Sequence, residues 1–167
     1  MPLQTLNVNQ FAPTQIIGAV SALFNPNVLP VRTNPASAQP TFPSGTVVKL
    51  ISGTSDEILV DAVTSGQDGP VYGIIVYNSR KNSTLPGARR DLFCTDSAMW
   101  VLASAPITRG QQVTAIPPTY TGGVQVTDAM VAPATSTAFV CGVALDNAAG
   151  AGSMIRIQVK TPTAPIA

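Results

Sequence analysis

Between Gly45 and Lys160, turn-forming residues cut the chain into β-branched runs that are too short to be stable helices. The runs are Thr46–Ile51, Ile58–Val63, Val71–Tyr77, Arg90–Thr95, Ala98–Ala103, Gln112–Ala115, Val124–Thr127, Ala138–Leu145 and Ser153–Lys160. Between them stand Ser65-Gly66, Asp68-Gly69-Pro70, Pro86-Gly87, Arg109-Gly110 and Gly122-Gly123. Valine, isoleucine and threonine suit a pleated, half-buried surface, whereas glycine, proline and aspartate supply the backbone angles of turns. Many short strands at this spacing, with no helical stretch among them, predict an all-β sandwich or barrel.

The same order of features occurs twice. Gly45-Thr-Val-Val is answered 65 residues later by Gly110-Gln-Gln-Val. Pro70-Val-Tyr-Gly73-Ile-Ile-Val is answered by Ala138-Phe-Val-Cys-Gly142-Val-Ala-Leu, with the two glycines 69 apart. Gly87, ahead of Arg90-Asp-Leu-Phe-Cys, is answered by Gly152, ahead of Ile155-Arg-Ile-Gln-Val, again 65 apart. A glycine inside a strand marks a bulge, a bend or a close backbone approach, the points at which a small sheet curls. Three matched anchors in one order predict two pseudo-repeated halves.

Residues 1–44 differ in kind. They contain no acid, Arg32 as their one cation, and Pro2, Pro13, Pro26, Pro30, Pro35, Pro40 and Pro43. Proline cannot donate to a helix or a sheet ladder, so this density predicts an extended N-terminal arm. One short helix is expected within it, over 14–24. There Pro13 suits the first turn, Ile16, Ile17, Val20, Leu23 and Phe24 share a face at 3.6-residue spacing, and Asn25-Pro26 stops it. Three turns are marginal alone in water, so that stripe, together with Phe11, is expected to lie against a partner. Pro162 and Pro165 keep 161–167 out of any sheet. The organisation predicted is thus an arm (1–44), a β-domain (45–160) and a C-terminal tail (161–167).

Charged residues make up 10% of the chain, against about 25% in ordinary soluble domains. With a net charge of +1, the balance fits a surface covered by protein partners better than a nucleic-acid binder, which shows a basic stripe. The apolar stretch 16–24 is too short to span a bilayer, and the first cation, Arg32, comes too late for a secretory leader, so synthesis in a cytoplasm without membrane insertion is expected. The chain has no histidine, which removes Ser-His-Asp and Cys-His nucleophile systems and the commonest transition-metal ligand. Cys94 and Cys141 stand apart without zinc spacing and read as buried thiols, although neighbouring strands would allow a bridge. Ala149-Gly-Ala-Gly152 reads as a hairpin turn rather than a phosphate loop. Asp56, Glu57 and Asp61 have the composition of a paired-carboxylate site but fit a solvated strand edge better. No catalytic, cofactor or metal residue is assigned, and the chain is not expected to be an enzyme.

Arg80, Lys81, Arg89 and Arg90 flank the loop 78–88 and are the only concentration of charge. They read either as a solvated loop or as a contact to an acidic partner, since arginine pairs carboxylates bidentately. Trp100 is expected in the core. An exposed aromatic platform around Tyr72, Tyr77 or Tyr120 would instead indicate a receptor- or glycan-binding module.

Pro70-Val-Tyr-Gly-Ile-Ile-Val-Tyr-Asn-Ser-Arg-Lys-Asn-Ser, then Pro86-Gly87, then Ala98-Met-Trp-Val-Leu-Ala-Ser-Ala-Pro-Ile-Thr-Arg-Gly-Gln-Gln-Val resembles tailed-bacteriophage structural cement (decoration) proteins. Val140-Cys-Gly-Val-Ala-Leu-Asp-Asn-Ala-Ala-Gly-Ala-Gly is similar to the second half of that pattern. The likeness spans about residues 45–160, and departs from the pattern where Gly87-Ala-Arg-Arg replaces a Gly-Asp turn. The resemblance implies a small β-barrel or β-tulip-like domain on the outer capsid surface of a virion. It also implies that the protein binds the major capsid protein and itself, as a homotrimer or dimer, and cements neighbouring subunits.

Overall fold

The computed structural model describes residues 17–19, 28–53, 57–77, 83–93 and 98–159. Among them the secondary structure is all β. The first half contains β1 (Val28–Thr33), β2 (Phe42–Pro43), β3 (Val47–Gly53), β4 (Ile58–Ala62), β5 (Val71–Ile75), β6 (Ser83–Thr84) and β7 (Arg89–Phe93). The second contains β8 (Ala98–Ala103), β9 (Gln112–Ile116), β10 (Thr119–Thr121), β11 (Val124–Thr127), β12 (Met130–Pro133), β13 (Val140–Ala144) and β14 (Met154–Val159).

Each half closes into a five-stranded barrel. The first runs β1-β4-β3-β5-β7 and the second β8-β12-β9-β13-β14, both returning to their starting strand. In each ring four neighbouring pairs are antiparallel and one is parallel, β1 with β4 and β8 with β12. The duplication expected from the glycines is therefore a duplication of topology, β1, β3, β4, β5 and β7 answering to β8, β9, β12, β13 and β14. Gly73 and Gly142 occupy the same place: each lies beside a register shift, where Tyr72 and Cys141 drop out of the ladder. These bulges bend β5 and β13 enough for a five-stranded ring to close.

Each half also carries an addition. In the first, β2 and β6 form a short ladder; in the second, β10 and β11 form a separate two-stranded ribbon between β9 and β12.

The barrels share a core. Val48 and Ile75 point into the first barrel with Val31, Phe42, Val60 and Ala62. Their chain neighbours Val47 and Ile74 point outward and join Val63, Val71, Met99, Val113, Ile155 and Ile157 in a second, larger cluster. This is why Val47-Val48 and Ile74-Ile75 read as continuous apolar pairs rather than alternating ones: both faces of β3 and β5 are covered. Burying each such side chain stabilises the pairing by about 1.5–3 kcal/mol. The Phe139 N–H donates to the Gly66 carbonyl at 2.8 Å, and the Phe139 ring lies so close to Gly69 that a Cβ there would meet it at 2.5 Å.

Two expectations for the arm change. Strand β1 lies within residues 1–44, yet it closes the first barrel and pairs with β7 from Val28 to Arg32. Proline is tolerated because the ladder with β4 begins only at Arg32, so that around Pro30 the strand is edge-like. The helix expected over 14–24 lies outside the described residues except at Ile17–Ala19. Those three form a turn, with Gly18 at φ +79°. The Gly18 N–H donates to the Trp100 carbonyl, its own carbonyl accepts from Tyr77, and the Ala19 carbonyl accepts from the Trp100 N–H, at 2.8–2.9 Å. This segment stitches β8 to the chain just beyond β5.

Candidate partner-binding surface

Four acidic side chains among the described residues are used one by one. Asp61 accepts from Asn34 Nδ2 at 2.8 Å and Ser37 Oγ at 2.5 Å, tying down the turn after β1. Asp68 receives Lys49 Nζ at 2.6 Å as well as the Thr64 N–H and hydroxyl. Burial alone would raise the Asp68 pKa, but these partners hold it below the usual carboxylate value. Asp146 accepts two bonds from the Arg156 guanidinium, at 2.9 and 2.7 Å, which lowers its pKa. Glu57 meets Arg32 at 3.4 Å on the surface, and Asp56 lies outside the described residues. Each of these four carboxylates has a turn or an ion pair to serve; Asp61 is not at a strand edge, because β4 is paired on one side with β1 and on the other with β3.

Cys141 is fully buried, and burial pushes its thiol up to about 12, so it stays protonated and unreactive through the neutral range. Cys94 lies outside the described residues. Trp100 is half-buried, with the Arg156 guanidinium 5.7 Å from its ring centroid. Tyr120 donates its hydroxyl to the Thr41 carbonyl at 2.8 Å, and burial raises its pKa. Tyr72 and Tyr77 are half-buried, so the three tyrosines do not form an exposed platform.

Of the ten residues expected at a partner interface, Phe11, Ile16, Val20, Leu23, Phe24, Arg80 and Lys81 lie outside the described residues. Ile17 packs within its own chain, where its Cγ2 would stand 2.5 Å from a Cβ on Gly45. Arg90 is not at the surface either. Only 5% of it is exposed, and its guanidinium donates to Val76 O at 3.0 Å and Ser44 Oγ at 3.2 Å. Desolvation lowers its pKa, while Asp91 beside it acts in the opposite direction. Alternation along β7 turns Arg90 into the barrel and Arg89 out, because its neighbours sit on opposite faces. Arg89 is exposed.

Arg89 lines a surface cleft of about 120 Å³ with Pro30, Val31, Arg32, Glu57 and Ile58. Sequence reasoning left Arg32 as an isolated cation in the arm and Glu57 as part of a strand edge. Only the register of β1 on β7, which sets Arg32 opposite Arg89, brings them together. Among the described residues, large apolar side chains are exposed at Val124 and Val126 on the ribbon (68% and 62%), at Leu50 and Ile51 on β3, and at Leu85.

No family model and no curated protein matches the chain. Among solved structures it is similar to the head fiber gp8.5 N base of bacteriophage phi29. The two share 15% identity and a TM-score of 0.48, over 82% of this chain and 96% of that chain. A likeness so distant says nothing of what this chain binds. The fold itself defines a duplicated, fused-barrel β protein.

Proposed function

We propose that this chain is a non-enzymatic virion structural protein. It decorates the outer surface of a phage capsid and cements it by bridging adjacent major capsid protein subunits, acting as a homotrimer or dimer. The observation that carries this reading is the continuous core between two closed barrels, which makes one stiff two-lobed body. A clamp transmits load between neighbours only if it does not itself yield, and closed barrels also leave few open sheet edges for stray pairing. The sequence pattern shared with cement proteins over 45–160 supports the same role, as does a surface with few charges to keep partners away. A glycan- or receptor-binding module would need the exposed aromatic platform that Tyr72, Tyr77 and Tyr120 do not provide.

The test adds purified full-length protein to capsids of the encoding phage assembled without it. Expected are co-sedimentation at a fixed ratio to the major capsid protein and a higher temperature of capsid disruption. Absence of co-sedimentation overturns the reading. Binding that leaves the disruption temperature unchanged rejects cementing and returns the surface-module alternative.

A further inference from the structure

Across the β1–β7 ladder, Arg32 stands directly opposite Arg89. Like charges placed this way destabilise a sheet, because opposed Cβ atoms are only about 4.5–5.5 Å apart. Glu57 meets Arg32 through a long contact of 3.4 Å in which both side chains are more than 40% exposed, and the Arg32 Nε–H also donates to the Gly87 carbonyl. Among the described residues no ion pair reaches Arg89, neither from Glu57 nor from Asp91, the next outward residue on its strand.

The duplication supplies an internal control. The register of β14 on β8 sets Met154 opposite Leu102, and that of β12 on β8 sets Met130 beside Leu102 as Leu59 is set beside Arg32. Leu102 and Met154 are thus the counterparts of Arg32 and Arg89, and Asp128 is the counterpart of Glu57. The second barrel closes with an apolar pair at this position, so the fold does not require two arginines there. Their retention beside a cleft, at an electrostatic cost, needs another cause.

The geometry points to a carboxylate-binding socket: the cleft between Arg32 and Arg89 receives an Asp or Glu side chain from an acidic segment of a partner protein. Arg32 and Arg89 line one opening together with Glu57, whose long, exposed contact to Arg32 an incoming carboxylate can replace, and Pro30, Val31 and Ile58 add apolar surface suited to the methylenes of such a side chain. A volume of about 120 Å³ takes one acidic side chain and not a folded element. The socket rests on the cementing reading only in taking its occupant to be protein.

Full-length protein labelled with nitrogen-15 is titrated with the blocked peptide Gly-Glu-Glu-Gly and, separately, with inorganic phosphate at matched ionic strength. The Nε–H resonances of Arg32 and Arg89 are followed in the wild type, and the backbone amide resonances of Val31 and Ile58, which line the same cleft, in both the wild type and the Arg32→Leu/Arg89→Met variant. The peptide is expected to shift these saturably, with a dissociation constant on the order of 1 mM, and Arg32→Leu/Arg89→Met to weaken it at least about tenfold. Phosphate saturating as well as the peptide overturns the choice of carboxylate, and failure of both ligands overturns the socket. The double variant, which installs the residues of the second barrel, is expected to melt no lower than the wild type. A fall of more than about 5 °C would make the pair a requirement of the fold and remove the argument. Capsid co-sedimentation is measured in parallel: peptide binding without capsid binding refutes cementing alone, and capsid binding without peptide binding refutes the socket alone.

Discussion

Arg89 and Arg90 are adjacent in sequence and opposite in use. Arg90 replaces what is Ile155 at the matching place in the second barrel, a residue with no exposed surface. A guanidinium survives there because its donors reach the Val76 carbonyl and the Ser44 hydroxyl, with the Phe42 carbonyl at 3.5 Å. Removing the side chain takes this donor from the Val76 and Phe42 carbonyls, at about 1–3 kcal/mol for each group so stranded. Arg90→Ala is accordingly expected to lose about 2–3 kcal/mol, read as a lower urea midpoint with an unchanged slope. A wild-type midpoint in that variant would mean that Arg90 belongs to the surface after all. The sequence offered the two arginines as one charged patch; only the alternation of a strand whose register is known separates them.

At the scale of elements, β5 and β13 show how glycine shapes the barrels. A Cβ at Gly142 would come within 2.6 Å of the Gln158 carbonyl, which is backbone of the neighbouring β14 and cannot turn aside as a side chain can. Gly142→Ala is expected to cost about 1–3 kcal/mol by forcing β13 and β14 apart. Gly150→Ala, whose Cβ would meet nothing within 4 Å, should stay within about 0.5 kcal/mol. Equal losses from the two, by thermal or urea unfolding, would refute close packing as the reason for Gly142. This requirement was legible in the sequence, because a glycine set between apolar strand residues, in both halves, marks a point where the strand bends or a neighbouring backbone comes close. Strand β1 was not legible: its proline hides it, and its partner β7 lies far along the chain.

For the whole molecule, the cluster that joins Val47, Val63, Val71 and Ile74 to Met99, Val113, Ile155 and Ile157 makes the two barrels one cooperative unit. Trp100 fluorescence, which reports on the second barrel, and far-ultraviolet circular dichroism, which reports on both, should therefore give coincident unfolding curves. Two separated transitions would show that the barrels are stable independently. The sequence by itself determined the all-β class, the turns and the repeat. These follow from side-chain branching and backbone freedom, properties that each residue carries wherever it is placed. The tertiary structure alone decided that residues 28–33 close a barrel, that Val47-Val48 are buried on two sides, and that Arg32 faces Arg89. Such facts depend on strand register and barrel closure, which join residues distant in the chain and leave no local trace.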